Sequence, residues 1–169
     1  MKKRWAALIF FVAFLLQGTV LHLFSIYGAT PNLILCLVVI FSFLYEDFNG
    51  PVLGVVFGLL ADVCMAQYVG VAALTYLLVS LLVIHMRETI NKEHLASIIL
   101  VSVGSTVLYN FIYFLIRSGL GSSYSLLYWL KLQPLYILYN SLIVFVLYLV
   151  FIKRVVKYRN DRYLIWKKH

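Results

Sequence analysis

Charge is what this chain has least of. Lys, Arg, Asp and Glu make up 12% of its 169 residues, where soluble domains carry roughly 25%. Long polar blocks are missing as well. The largest are the turn at 87–94 and the tail at 153–169, and neither is enough for a soluble domain. Its two cysteines, Cys36 and Cys64, lie in apolar stretches. Two thiols cannot build a four-ligand zinc site alone, so they read as small packing residues. What remains is apolar: 64% of the chain is hydrophobic and the mean hydropathy is +0.98. A chain this small has too much surface for its volume to hide that content from water. The bilayer must be its solvent. One integral-membrane domain over 1–169 is expected, with short loops.

A helix needs roughly 20 apolar residues to cross about 30 Å of hydrocarbon. That length marks six spans, at about 5–27, 31–45, 51–68, 69–86, 95–116 and 132–152. The three prolines, Pro31, Pro51 and Pro134, are each expected in a first turn, where a missing N–H does no harm. The fold class is therefore an all-α polytopic membrane protein with six transmembrane helices.

Basic residues set the orientation, because Lys and Arg gather on the cytoplasmic side. With both ends inside, Lys2, Lys3, Arg4, Arg87, Lys92, Lys153, Arg154, Lys157, Arg159, Arg162, Lys167 and Lys168 are all cytoplasmic. Arg117 and Lys131 are left outside. The net charge of +8 is thus a topology signal placed at membrane edges, and nucleic acid is not an expected partner. The basic start followed by an apolar run reads as an uncleaved first span. A signal's apolar core is only about 7–15 residues.

No catalytic set convinces. There is no His-Glu-x-x-His, and Glu93-His94 lacks a second histidine at helical spacing. Gly104-Ser105 would need a histidine at its own depth, and His22 and His85 sit near span ends. Ser102, Ser105 and Thr106 read as helix-packing residues. No enzyme activity, cofactor or metal is expected.

The third span is more informative. Gly50, Gly54 and Gly58 recur every four residues and line one helix face, where a second backbone can come close. Packing with a neighbouring span of the same chain would use such a groove. The sharper expectation is a docking face for a partner helix. Asp62 is the acid placed well inside the apolar zone, where a carboxylate costs about 2.5–3.5 kcal/mol on insertion scales. It should face the bundle interior as a buried polar node. Asn110 and Asn140 sit in echoing Tyr-Asn pairs of the fifth and sixth spans and are expected to bond across helices. The segment 117–131 reads as an external loop whose aromatic second half lies in the interface. In the tail, Lys153, Arg154, Lys157, Arg159 and Arg162 are expected to contact anionic lipid, at about 1 kcal/mol per residue near the surface.

These residues resemble a known family. The basic start with Leu15-Leu16-Gln17-Gly18-Thr19-Val20, the turn Pro31-Asn32-Leu33-Ile34-Leu35, the motif Gly54-x-x-x-Gly58-Leu59-Leu60-x-Asp62 and then Gly70-x-x-Ala73-Leu74 resemble the MreD family of bacterial rod shape-determining membrane proteins. A Tyr-Asn pair before a final apolar span and a basic end fits too. Val63-Cys64-Met65-Ala66-Gln67 departs from the Ser-Gly turn expected there. The resemblance implies a non-enzymatic scaffold of the cell-wall elongation complex in the bacterial inner membrane. MreC is the implied partner, with RodA, a penicillin-binding transpeptidase, MreB and RodZ in the same complex. The family is also similar in fold to the substrate-binding subunits of energy-coupling-factor vitamin transporters. The alternative is therefore capture of a vitamin-like small molecule, which needs convergent polar groups around a cavity.

Overall fold

The computed structural model describes residues 3–21, 25, 27–45, 47–90, 94–119, 121 and 126–166, with side chains between Arg4 and Ile152. The described residues form six α-helices and no strand: α1 (Lys3–Thr19), α2 (Leu33–Leu44), α3 (Asn49–Met65), α4 (Val71–Met86), α5 (Leu95–Gly119) and α6 (Leu126–Trp166). α5 and the Leu126–Ile152 part of α6 are long and apolar enough to cross a membrane. The other four have 17, 12, 17 and 16 residues, short of the roughly 20 that a full crossing takes.

Helix α2 is apolar all round, and such a helix belongs in a core. Every residue from Ile34 to Leu44 is buried, and the other helices pack around it. Rings lock the wrapping. Phe10 of α1 meets Phe41 of α2 edge-on at 5.4 Å and Phe57 of α3 at 5.8 Å. Phe151 of α6 reaches the same Phe41 at 5.4 Å. Edge-to-face pairs of this kind add about 0.5–1.5 kcal/mol beyond their buried area.

Successive helices run antiparallel. Gly50 lies against Ser42 and Gly54 against Val38 across α2 and α3, and Gly58 lies against Ala73 across α3 and α4. Asn110 meets Gln133 and Thr106 meets Asn140 across α5 and α6. One end of the bundle thus gathers the C-termini of α1, α3 and α5 with the N-termini of α2, α4 and α6. It is called the Asn32 end below, and the opposite one the Arg87 end. The outward faces are apolar. Leu8, Val12 and Leu15 on α1, Val52, Val56 and Val63 on α3, Leu74, Leu78 and Leu81 on α4, and Leu138, Leu142 and Val146 on α6 are all exposed. An apolar exterior of this extent is consistent with a membrane protein.

Several element boundaries differ from the expectation. α1 stops at Thr19, whose hydroxyl turns back onto the Leu15 carbonyl at 2.7 Å. The chain then reverses through left-handed backbone at Tyr27 and Gly28 (φ 51° and 87°). Third and fourth spans expected to abut at 68 and 69 are parted by a turn that ends on left-handed Gly70 (φ 96°). The expected loop at 117–131 is mostly helix: α5 runs through Arg117 to Gly119, and α6 begins at Leu126. Pro134 consequently lies inside α6, not in a first turn. It leaves the Leu130 carbonyl without its helical donor, a gap that membrane helices tolerate. α6 continues for 41 residues to Trp166, about 60 Å at 1.5 Å per residue. It outruns any bilayer core and carries the basic segment out as helix. The side chains of Lys153, Arg154, Lys157, Arg159 and Arg162 lie outside the described residues, as do Lys2, His22, Lys92, Glu93, Ser122 to Ser125, Lys167 and Lys168.

Candidate functional site

Short helices surrounded by apolar side chains create a specific problem. The first four N–H groups and last four carbonyls of each helix have no partner within it. Away from water each costs free energy unless a side chain reaches it. The polar residues of this chain do that.

The start of α2 is served from three other helices. Asn32 caps it, its Oδ1 accepting from the Leu35 N–H at 2.9 Å. Gln17, near the end of α1, accepts from the Ile34 N–H at 3.1 Å. Asn140 of α6 accepts from the Asn32 main-chain N–H at 3.0 Å and donates through Nδ2 to Thr106 of α5 at 3.3 Å. The hydroxyl of Tyr76, from α4, donates to Asn32 Oδ1 at 2.9 Å. Asn32 is therefore the meeting point of α2, α4 and α6, with α1 and α5 one bond away.

Asp62 performs the same task for α4. Its Oδ2 accepts from the main-chain N–H groups of Gly70, Ala72 and Ala73, at 3.0, 2.8 and 3.3 Å. A carboxylate at a helix N-terminus meets both unpaired donors and the positive end of the helix dipole. Asp62 is 2% exposed, so these contacts stand in for its lost hydration. At the Arg87 end, the guanidinium of Arg87 donates to the carbonyls of Ser42, at 3.0 Å, and Tyr45, closing the C-terminus of α2.

The expected polar node divides into separate places. Asp62 serves α4 and Asn140 serves α2. Asn110 does not meet Asn140; its Nδ2 donates to Gln133 of α6 at 3.2 Å, and its carbonyl accepts from Trp129 Nε1 at 3.1 Å. The depth matching that paired the two asparagines failed because α6 starts earlier than expected. Thr106, one turn before Asn110, is the residue that stands opposite Asn140.

The glycine face requires a correction. Gly50, Gly54 and Gly58 do form one close-approach surface, but α2 and α4 of the same chain fill it. A Cβ on Gly58 would sit 2.7 Å from Ala73 Cα, and one on Gly54 would sit 2.8 Å from Val38 Cγ2. A Cβ on Gly50 would meet the Ser42 main-chain N at 2.8 Å. No room for a partner helix remains on that face.

Sequence reasoning missed Asn32, Gln17, Tyr76 and Arg87 as functional positions. Asn32 carried a usable signal, a capping residue directly before an apolar run. Arg87 was counted only as a charge. Nothing in the pattern singles out Tyr76.

Beside these bonds lies an open polar cavity of about 370 Å³ among α1, α3, α4 and α5, lined by Gln17, Asp62, Tyr76, Tyr109, Tyr113 and Arg117. Three of its tyrosines stack: Tyr76 on Tyr109 at 5.0 Å, and Tyr109 on Tyr113 at 5.8 Å. The Arg117 guanidinium lies 5.8 Å from the Tyr113 ring centre.

With the geometry in place, the sequence profile of one family, described as rod shape-determining protein MreD, matches residues 2–157. The chain belongs to the MreD family. Neither a curated protein nor a solved structure matches it. The match places this chain among rod shape-determining proteins, a membrane protein family. It spans every helix and reaches into the basic end of α6. Gly54, Gly58 and Asp62, part of the motif that resembles the family, join α3 to α4 and α2 in the structure.

Proposed function

We propose that this chain is a non-enzymatic scaffold subunit of the cell-wall elongation complex, holding MreC in the bacterial inner membrane. All six helices cross the membrane as one domain, with both termini in the cytoplasm. RodA, the penicillin-binding transpeptidase, MreB and RodZ belong to the same complex. The observation that carries this reading is how the polar side chains are spent. Asp62, Asn32, Asn140, Gln17 and Arg87 all terminate helices of the chain itself. Such an arrangement builds a rigid body and leaves its apolar outer faces for lipid and partner helices.

Short helices fit a six-span topology under this reading. Non-helical backbone is tolerated at membrane depth where protein groups satisfy it, and the caps of α2 and α4 supply such groups. The charge asymmetry supports both ends inside. The Asn32 end then faces outward. MreC would meet an exposed apolar face, for which the glycine groove has no space. The basic end of α6 adds attraction to anionic lipid.

Co-purification tests the partner. Full-length chain in mild detergent should retain an MreC-like protein, and depletion of the chain should round the cells. Loss of MreC from the purified complex together with normal rods would remove the proposal. A C-terminal fluorescent fusion that folds only in the cytoplasm tests the orientation, and a dark fusion on an intact chain would reverse it.

A further inference from the structure

The helices around α2 differ in length, and the difference falls on two sides. α1, α3 and α4 stand together on one flank, while α5 packs on α6 on the other. Leu95 to Ile116 of α5 and Leu132 to Ile152 of α6 are free of charged residues. Each stretch covers about 30 Å at 1.5 Å per residue, the thickness of a hydrocarbon core. α1, α3 and α4 hold 17, 17 and 16 residues, about 25 Å. Exposed polar residues close both ends of the α3–α4 surface. Asp47 and Glu88 lie at the Arg87 end, and Gln67, on the turn after α3, at the Asn32 end. On the helices themselves, exposed apolar side chains reach from Val52 to Met65 and from Leu74 to Met86, about 20 Å. An exposed turn does not lie in hydrocarbon, where its backbone finds no water. The turns therefore set how far apart the two headgroup layers can be along this flank.

We propose that the flank of α1, α3 and α4 thins the bilayer against it and gathers a shell of short-chain lipid, while α5 and α6 take lipid of ordinary length. Tilting the body does not remove the mismatch, because tilt shortens the reach of every helix across the membrane. A partner helix long enough to cross would outrun the flank at its ends. Lipid chains can shorten by bending, so lipid is the occupant that fits. A mismatch of several Å is enough to sort proteins between thick and thin membrane, and the shell gives this chain such a preference. The proposal rests on the reading that all six helices cross the membrane, and not on MreC.

Lipid capture tests it. The full-length chain is reconstituted in vesicles of dimyristoleoyl and dierucoyl phosphatidylcholine in equal amounts, then excised with its lipid shell by a styrene–maleic acid polymer. The short-chain lipid should be enriched in the shell by about twofold or more over the vesicles. Site-specific quenching locates it. Cys64 is exposed near the end of α3 and Cys36 is buried, so a thiol-reactive fluorophore marks the short flank. Brominated short-chain lipid should quench it more strongly than brominated long-chain lipid. The same fluorophore on Leu142→Cys, exposed within the α6 run and made together with Cys64→Ser, should show no such preference. Thermal unfolding shows whether that variant is folded, and Leu138→Cys, also at an exposed position, replaces it if not. A shell of bulk composition overturns the proposal; if a C-terminal fusion still reports a cytoplasmic end, the topology stands without it. Equal short-chain preference at both positions also overturns it. So does a Cys64 fluorophore that neither lipid quenches, which would put a second copy of the chain on the flank.

Discussion

The main-chain N–H of Asn32 donates to Asn140 Oδ1 at 3.0 Å, joining residues 108 positions apart. The bond gives an unpaired donor just outside α2 a partner on α6. The same amide of Asn140 donates to Thr106 on α5, so one side chain ties three helices. Replacement by Leu keeps the branched outline and removes both bonds.

Asn140→Leu should therefore destabilise the chain by about 1–3 kcal/mol, the usual cost of leaving buried polar groups unpaired. A double-mutant cycle with Thr106→Val isolates the side-chain pair. Its coupling should be near 0.6 kcal/mol, the average for such bonds in membranes. Thermal unfolding in detergent measures both, and a coupling of zero would mean that Thr106 is not the partner.

Asp62→Ala strips the acceptor from three N–H groups at the start of α4. A loss of about 1–2 kcal/mol is expected, the cost of a strong N-cap. Asp62→Asn keeps an acceptor carbonyl and should lose less. Hydrogen exchange at Gly70, Ala72 and Ala73 should rise in the Ala variant more than elsewhere. Uniform change across the chain would argue against a capping role.

The glycines of α3 and α5 should separate cleanly. Gly58→Ala puts a methyl group against the Ala73 backbone, which cannot rotate away, and should cost about 1–3 kcal/mol. Gly54→Ala meets the Val38 side chain first, so a shift of that side chain makes it milder. Gly104→Ala meets nothing within 4 Å and should gain up to about 1 kcal/mol from helix propensity. Melting temperatures in that order are the check; equal values for Gly58→Ala and Gly104→Ala would contradict the packing of α3 on α4.

Arg87→Lys keeps the positive charge but gives up the planar fork that reaches the Ser42 and Tyr45 carbonyls. Insertion orientation should be unchanged in a fusion assay. Stability should fall by about 1.5 kcal/mol, at the modest end for a charged hydrogen bond. Wild-type stability in Arg87→Lys would reduce Arg87 to its charge alone.

Sequence by itself determined that this chain is helical, apolar and of the MreD family, because composition and periodic apolar runs are local properties that any fold must respect. It also marked Asp62 and the three glycines as special, since a buried carboxylate and a close-approach face are each costly or distinctive before any packing is known. What those residues touch was decided only by tertiary structure. The glycine face reads the same whether the helix lying on it comes from the chain itself or from a partner, and here α2 and α4 take it. Asn110 and Asn140 looked like a pair because depth along an apolar run is ambiguous by several residues. The early start of α6 shifted the register and gave Asn140 to Thr106 and Asn32. Arg87 reads as a charge in sequence and acts as a cap in space. Helix ends are satisfied by whichever polar group the fold brings within about 3 Å, and that distance is not written in the order of residues.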